Sequence, residues 1–322
     1  MSSPFKVVDL FCGAGGFSRG FLEAEFELVV ALDNAPPVVK TYHANFPWVK
    51  LVNEDVKEVD GGRLLELIGG RPDVVIASPP CEPFTAANAR RMKEPLDRLY
   101  TDPVGRLMLH GIRLIGDLEP KVFVMENVPQ VMEGGLRRAL IKELARVGFE
   151  EVYFNILRAE DYGSPSRRTR VFISNVRIRP RPVAFKVTVA EALEGLPEPD
   201  GEVPNHEYVP MSPKKYRKAA KLRWGGALVR YEGYGRRIYT NWVKLHPFKP
   251  SPPVLGNSRF IHPFETRLLT VREHARLMGF PDDHVFLGGK ESQFDMVGEA
   301  VPVPLARAIA AYIARLLRSG QA

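Results

Sequence analysis

Short apolar runs recur along the first half of the chain, each stopped by acidic, Gly or Pro residues and each followed by a segment with helical spacing of its apolar positions. The strand-like runs fall at residues 6–11, 28–33, 50–52, 74–78, 122–125, 152–157 and 171–176. Helical periodicity falls between them at residues 17–24, 37–44, 62–67, 102–118 and 135–147. Strands alternating with amphipathic helices predict an α/β fold with a doubly wound, mostly parallel sheet covered on both faces. From about residue 177 to 253 the texture changes to Pro-, Gly- and charge-rich sequence with few long apolar runs, so a second, smaller unit is expected there. Helical spacing returns at residues 270–278 and 304–317.

A chain of 322 residues, 45% hydrophobic and 26% charged, is long enough to bury one large core or two ordinary ones. Neither a run of apolar residues long enough to span a membrane nor a leader pattern at the N-terminus is evident, so an intracellular, cytoplasmic and nucleoid-associated protein is expected. The two cysteines, Cys12 and Cys81, both fall beside strand ends, and both thiols are expected to be free.

The formal charge is +7 and the pI near 9.3, which suits a polyanionic partner. Between residues 210 and 245 the cations bunch, among them Lys214, Lys215, Arg217, Arg223, Arg230, Arg236 and Arg237, interleaved with Tyr216, Trp224, Tyr231, Tyr234, Tyr239 and Trp242. Cations mixed with aromatic rings serve phosphate contact and base stacking. The same composition would serve a solvated, Arg-rich surface of a heat-stable protein.

Four strand ends carry candidate chemistry. Cys81, in Pro79-Pro80-Cys81-Glu82-Pro83-Phe84-Thr85, follows the run Val74-Val75-Ile76-Ala77, and ligands of open α/β sheets bind beyond the carboxyl ends of such strands. Cys81 is therefore a candidate nucleophile, although a lone cysteine is more often a small buried apolar filler. The first strand runs into the glycine-rich turn Cys12-Gly13-Ala14-Gly15-Gly16, whose spacing is not that of the dinucleotide fingerprint. Acids close the next two strands: Asp33, about 20 residues on, stands where a carboxylate would accept bonds from a ribose, and Asp55 follows the third. A glycine-rich turn and two acids on successive strand ends describe a nucleoside cofactor site better than a phosphate site, which would call for Lys or Arg.

Six blocks in order, Phe11-x-Gly13-x-Gly15-Gly16, Pro79-Pro80-Cys81, Glu126-Asn127-Val128, Arg168-x-Arg170, the run from Arg267 to Pro281, and Gly298-x-Ala300-Val301, resemble the DNA (cytosine-5) methyltransferases over nearly the whole chain. The resemblance implies a seven-stranded, Rossmann-like catalytic domain (residues 1–176 with about 296–322) and a small target-recognition domain (about 177–295, its variable part about 177–258). It implies S-adenosylmethionine as methyl donor, leaving S-adenosylhomocysteine, and double-stranded DNA as partner. Cys81 would add to C6 of a cytosine swung out of the duplex, turning C5 into a nucleophile. Glu126 would hold a proton at N3, Asn127 would hold the loop that carries Cys81, and Arg168 and Arg170, alternating on one strand face, would approach the cytosine O2 and a phosphate. The donor would contact Phe11, Gly13, Ala14, Gly15 and Gly16, with Asp33 on the ribose, Asp55 on the adenine amine, Asn34 and Val56 beside them, and Pro80, Leu107, Ala300 and Val301 closing the pocket. Arg223, Arg230, Arg236 and Arg237 are the candidate DNA contacts, on charge clustering alone. No residue is identified as the base that removes the C5 proton.

The chain departs from the family pattern at Glu82 and Thr85 beside the nucleophile, at Ser166 before Arg168, and at Glu299. An extra carboxylate next to Cys81 would repel phosphate unless Arg90 or Arg91 neutralises it. Thr85 is shared with a branch of the family that methylates tRNA, but that branch's further cysteine is missing, since none follows Cys81. A site-specific DNA cytosine C5 methyltransferase is thus expected, with a cognate restriction endonuclease as a possible partner. A tRNA cytosine methyltransferase and a non-catalytic binding protein are the alternatives.

Overall fold

A computed structural model describes residues 4–232 and 238–321. The chain divides into two compact units: Met1–Leu157, Thr169–Arg181 and Ala306–Ala322 form the first, and Arg158–Arg168 with Pro182–Leu305 the second. The boundaries lie at 181 and 306 where about 176 and 296 were expected, and the second unit also takes in Arg158–Arg168, a segment expected to belong to the catalytic domain.

The first unit is built on a seven-stranded sheet of β1 (Lys6–Leu10), β2 (Glu27–Leu32), β3 (Lys50–Val52), β4 (Val74–Ala77), β5 (Val122–Asn127), β6 (Tyr153–Arg158) and β7 (Thr169–Ser174), in the order β3-β2-β1-β4-β5-β7-β6. Strands β1 to β5 run parallel, and β7 is antiparallel to β5. Each run sits within two residues of its sequence expectation. Val7, Val8, Val74, Val75, Ile76, Phe123, Val124 and Met125 are fully buried, which is why these strands read as near-continuous apolar runs. The order reverses between β1 and β4, so the crevice beyond their carboxyl ends is where a ligand of this architecture binds.

Helices α1 (Gly16–Glu23), α2 (Pro36–Asn45), α3 (Gly61–Ile68), α4 (Pro95–Tyr100), α5 (Leu107–Leu118) and α6 (Leu136–Arg146) connect these strands. Periodicity over residues 102–118 predicted one helix; it is α5 alone that forms, because Asp102 Oδ1 accepts from the backbone N–H groups of Val104 and Gly105 and holds a turn ahead of it.

In the second unit, helices α7 (Val189–Leu193) and α8 (Pro213–Ala219) precede a three-stranded sheet of β8 (Ala227–Glu232), β9 (Ile238–Lys244) and β10 (Phe260–Ile261). β8 and β9 are antiparallel, with Tyr231 stacked on Tyr239 at 5.6 Å, and β10 runs parallel to β9. The block from Arg267 to Pro281 is its scaffold. Thr270 and Glu273 form a capping box at the start of α9 (Val271–Leu277), and Arg267 grips Glu273 with two bonds of 2.8 Å. Burial works against ionisation of Glu273, but Arg267 outweighs it and holds the carboxyl below its usual range. Arg272, fully buried, donates to the carbonyls of Pro204, Pro281 and His284.

Helices α10 (Lys290–Glu299) and α11 (Val303–Arg318) complete the chain. Taken together they are long and apolar enough to cross a membrane by length and composition, a stretch the sequence reading did not single out. They are interrupted at residues 300–302, and α11 is amphipathic, with Ala306, Ile309, Ala310 and Ile313 fully buried and Arg307, Arg315 and Arg318 on its other side, the pattern of a core helix.

Candidate active site

The backbone at the end of β1 leaves the ordinary region at three places within five residues: Phe11, Gly13 and Gly15 have φ of 58°, 54° and 85°. Glycine meets this at little cost, but Phe11 stores strain of about 1–3 kcal/mol, which the surroundings must impose. Its ring packs on the core beside Gly111 of α5, where a Cβ would come within 3.0 Å of the ring. Asp33, just past β2, ties this turn down: its Oδ2 accepts the Gly13 N–H at 3.1 Å, and its Oδ1 accepts those of Asn34 and Ala35. Burial raises the Asp33 pKa, and the three backbone donors oppose that shift. A Cβ on Gly13 would meet nothing within 4 Å, so the turn borders open space rather than packed protein.

Asp55, after β3, is more exposed and pairs with Lys57 at 3.2 Å; the Lys57 backbone N–H is the main cause of its lowered pKa. Val56 is buried, and Leu107 opens α5 half-buried against the same core as Phe11. Ala300 and Val301 follow α10 in the second unit, with Val301 buried.

Beneath the glycine turn lies a polar group that the sequence reading missed. Asp9 of β1 is 1% exposed, its Oδ2 accepts from Ser18 Oγ at 2.6 Å, and Ser18 Oγ is 2.7 Å from the Tyr42 hydroxyl. Burial pushes the Asp9 pKa up to about 8 and raises the Cys12 thiol well above its usual range. A charged residue inside an otherwise apolar strand was the available signal. The two cysteines thereby separate: Cys12 is 5% exposed and held as a thiol, whereas Cys81 is only partly buried, at the mouth of the sheet.

Cys81 is carried by the turn that follows β4. Ala77 pairs with Met125 in the parallel register, so the residues after β4 run beside the end of β5, where Glu126 and Asn127 stand. Asn127, fully buried, donates from Nδ2 to the Pro79 carbonyl at 3.1 Å and accepts the Val128 N–H on Oδ1. Glu126 is buried too, and its Oε1 lies 2.8 Å from Nε of Arg170, which β7 brings across the antiparallel pairing with β5. The structure thus groups Pro80, Cys81, Glu126, Asn127 and Arg170 at adjacent strand ends.

Arg168, expected on the same strand face as Arg170, has partners of its own in the second unit. β7 begins at Thr169, and Arg168 belongs to the second unit, 3% exposed, donating to the carbonyls of Val254 and Gly298 at 2.8 Å each. Both of these bonds come from Nη1. Arg91, one of the two arginines considered for Glu82, is buried, donating to the Phe84 carbonyl and lying 3.3 Å from Glu133, while Glu82 is exposed. Ser166 is buried, within 3.2 Å of Ser164 Oγ. Arg223 is exposed ahead of β8, and Arg230 is exposed on it; Arg236 and Arg237 lie outside the described residues.

The pattern of the C-5 cytosine-specific DNA methylase family matches residues 5–315. A protein of Methanocaldococcus jannaschii assigned as the type II methyltransferase M.MJ0563P is 48% identical over 320 residues, covering 97% of this chain and all of that one. The type II methyltransferase M1.HphI of Haemophilus parahaemolyticus is 35% identical, covering 96% of this chain and 86% of its own length. Among solved structures, a protein encoded within an E. coli prophage and assigned as a DNA modification methyltransferase superposes with a TM-score of 0.79 at 25% identity, over 98% of this chain and 99% of that one. With the glycine turn, the Pro-Pro-Cys turn and the Glu-Asn strand end in one sheet, the chain belongs to the C-5 cytosine-specific DNA methylase family and is a DNA cytosine methyltransferase.

Proposed function

We propose that the chain methylates C5 of a cytosine within a specific site of double-stranded DNA, taking the methyl group from S-adenosylmethionine, through a covalent bond between Cys81 and C6. The observation that carries this is the pairing of β4 with β5, which sets the Cys81 turn beside Glu126 and locks it there through Asn127 and Pro79.

The residues at the ends of β1 to β3 fit the donor. Gly13 borders open space, and Asp33 is a carboxylate tied to the glycine turn by backbone donors, where it would accept from a ribose. S-adenosylmethionine supplies an electrophilic methyl group. The protein does the rest. The Cys81 thiolate forms a bond to C6 as the C5–C6 double bond opens, and Glu126 holds a proton at N3 where negative charge collects. Arg170 keeps Glu126 oriented. C5, now nucleophilic, takes the methyl group; loss of the C5 proton to solvent then expels Cys81 and restores the ring.

A cytosine inside the duplex cannot reach Cys81, so the base must leave the stack at a cost of a few kcal/mol. The second unit, with its β8–β9 pair and the exposed Arg223 and Arg230, is proposed as the element that reads the site, Arg236 and Arg237 included. Type II methyltransferase relatives support a role in protecting that site from an endonuclease of the same specificity, in the cytoplasm.

Incubation with labelled S-adenosylmethionine and either duplex DNA or tRNA tests the reading, followed by bisulfite sequencing of DNA from expressing cells. Label on DNA, converted at one recurring sequence, is expected. Label on tRNA alone overturns it, and Cys81→Ser is expected to remove all transfer while leaving donor binding intact.

A further inference from the structure

The segment that follows the nucleophile is tied to the segment that follows the acid through one carboxylate. Glu133 stands six residues past Asn127, at the end of the short 3-10 turn Pro129–Met132. Its Oε2 lies 2.9 Å from Arg98 Nη1 and 3.3 Å from Arg91 Nη1. Both arginine side chains are nearly inaccessible, 4% and 2% exposed, whereas that of Glu133 is 40% exposed. Two buried cations on one carboxylate are costly unless their remaining protons are used. Here they are used on the Cys81 loop: Arg98 donates to the carbonyls of Met92 and Lys93 at 2.7 and 3.0 Å, and Arg91 donates to that of Phe84 at 2.6 Å.

Phe84 is the link to the nucleophile. Its N–H and that of Thr85 both donate to the Cys81 carbonyl at 3.0 Å, so Cys81, Phe84 and Thr85 form one tight turn. The Phe84 ring is fully buried in the core, an anchor of about 1.5–3 kcal/mol, and Arg91 holds the same residue by its carbonyl. Asn88 adds a bond from Nδ2 to the Glu82 carbonyl.

We propose that Glu133, through Arg91 and Arg98, is a positioning residue for methyl transfer: it fixes the loop bearing Cys81 against the segment bearing Glu126. The inference rests on the functional reading above. A small displacement of a reacting group costs up to about 100-fold in rate, so replacing Glu133 should slow the transfer step while sparing donor affinity.

The test uses the full chain with Glu133→Gln and Glu133→Asp. In single-turnover reactions on duplex DNA, Glu133→Gln is expected to be roughly 10- to 100-fold slower, with donor affinity unchanged and with part of the rate recovered in Glu133→Asp. In DNA-free protein, alkylation of Cys81 by iodoacetamide, read by peptide mass, is expected to accelerate at least about threefold in Glu133→Gln as the turn opens. Thermal unfolding reports the folded fraction of each variant. An unchanged transfer rate, or a slowing that equals the loss of folded protein while Cys81 alkylation stays constant, overturns the proposal. Failure of the wild-type protein to label DNA would instead sink the functional reading, and the alkylation comparison alone would then decide the role of Glu133.

Discussion

Arg170 Nε lies 2.8 Å from Glu126 Oε1, the acid buried and the arginine largely so, at 7% and 12% side-chain exposure. An antiparallel strand thus delivers a cation to the acid at the end of a parallel one. Removing one partner of such a pair leaves the other charge without compensation. Arg170→Ala is expected to destabilise the protein by about 3 kcal/mol, whereas the isosteric Glu126→Gln should cost less stability and more rate. Losing the group at N3 is expected to slow single-turnover methylation by about 100- to 1000-fold, as loss of one preorganised stabilising group does. Chemical denaturation and single-turnover kinetics separate the two variants; equal stability loss with equal rates would contradict this division of roles.

Arg168, two residues away, is expected to behave in the opposite way. Its guanidinium satisfies the carbonyls of Val254 and Gly298 within the second unit, so Arg168→Ala strips donors from buried oxygens. A loss of about 3 kcal/mol in stability is expected, from bonds to a charged donor worth about 1.5–3 kcal/mol each. The salt dependence of DNA binding should keep its slope in whatever fraction stays folded, because a phosphate contact would change that slope by about one unit. A reduced slope with normal stability would restore Arg168 to the DNA interface.

The contrast between these two arginines shows where sequence reading reached its limit. The seven strands lie within two residues of their expected positions, because apolar β-branched runs bounded by turn residues are a local signal. Gly13, Asp33, Cys81 and Glu126 stand at the ends of strands that those runs located, while the role expected of Glu126 came from the family resemblance. The partners of Arg168 lie 86 and 130 residues away, which no local pattern encodes. Arg91 was one of two arginines considered for Glu82, and folding pairs it with Glu133, 42 residues on. The β8–β9 pair was read only as a basic and aromatic cluster, because β8 is a partly exposed strand that carries Arg230 and Glu232 in solvent and has no continuous apolar run like those of the first unit.

Gly111 offers a test of the cofactor turn that leaves every polar group in place. A Cβ there would stand 3.0 Å from Cε2 of Phe11, and larger side chains would drive the ring from its place at the end of β1. Gly111→Val is expected to weaken donor binding by about tenfold, equivalent to about 1.4 kcal/mol, with DNA affinity unchanged. Calorimetry with S-adenosylhomocysteine measures the first and gel-shift titration the second. Unaltered binding of the donor product would show that the Phe11 ring is packing and no more.

Asp9 gives a pH signature. Burial raises its pKa from 3.8 to about 8, so between those values the folded protein holds a proton there that the unfolded chain has released. The folded state then binds more protons than the unfolded one, and stability must fall as pH rises through that window, by at most about 1.4 kcal/mol per pH unit for a single group. Above pH 8 the Asp9 contribution should level off. Asp9→Asn removes the titration while keeping the shape and a partner for Ser18 Oγ. Subtracting its unfolding free energy from that of the wild type at each pH isolates Asp9 from other titrating groups such as His274, which burial holds near 4 and whose loss of stability comes instead as pH falls. The expected difference grows in favour of Asp9→Asn from pH 5 to pH 8 and is constant beyond it. A difference that is flat across the window would mean that Asp9 is ionised in the folded protein, held as a carboxylate by Ser18 and Tyr42 beneath the glycine turn.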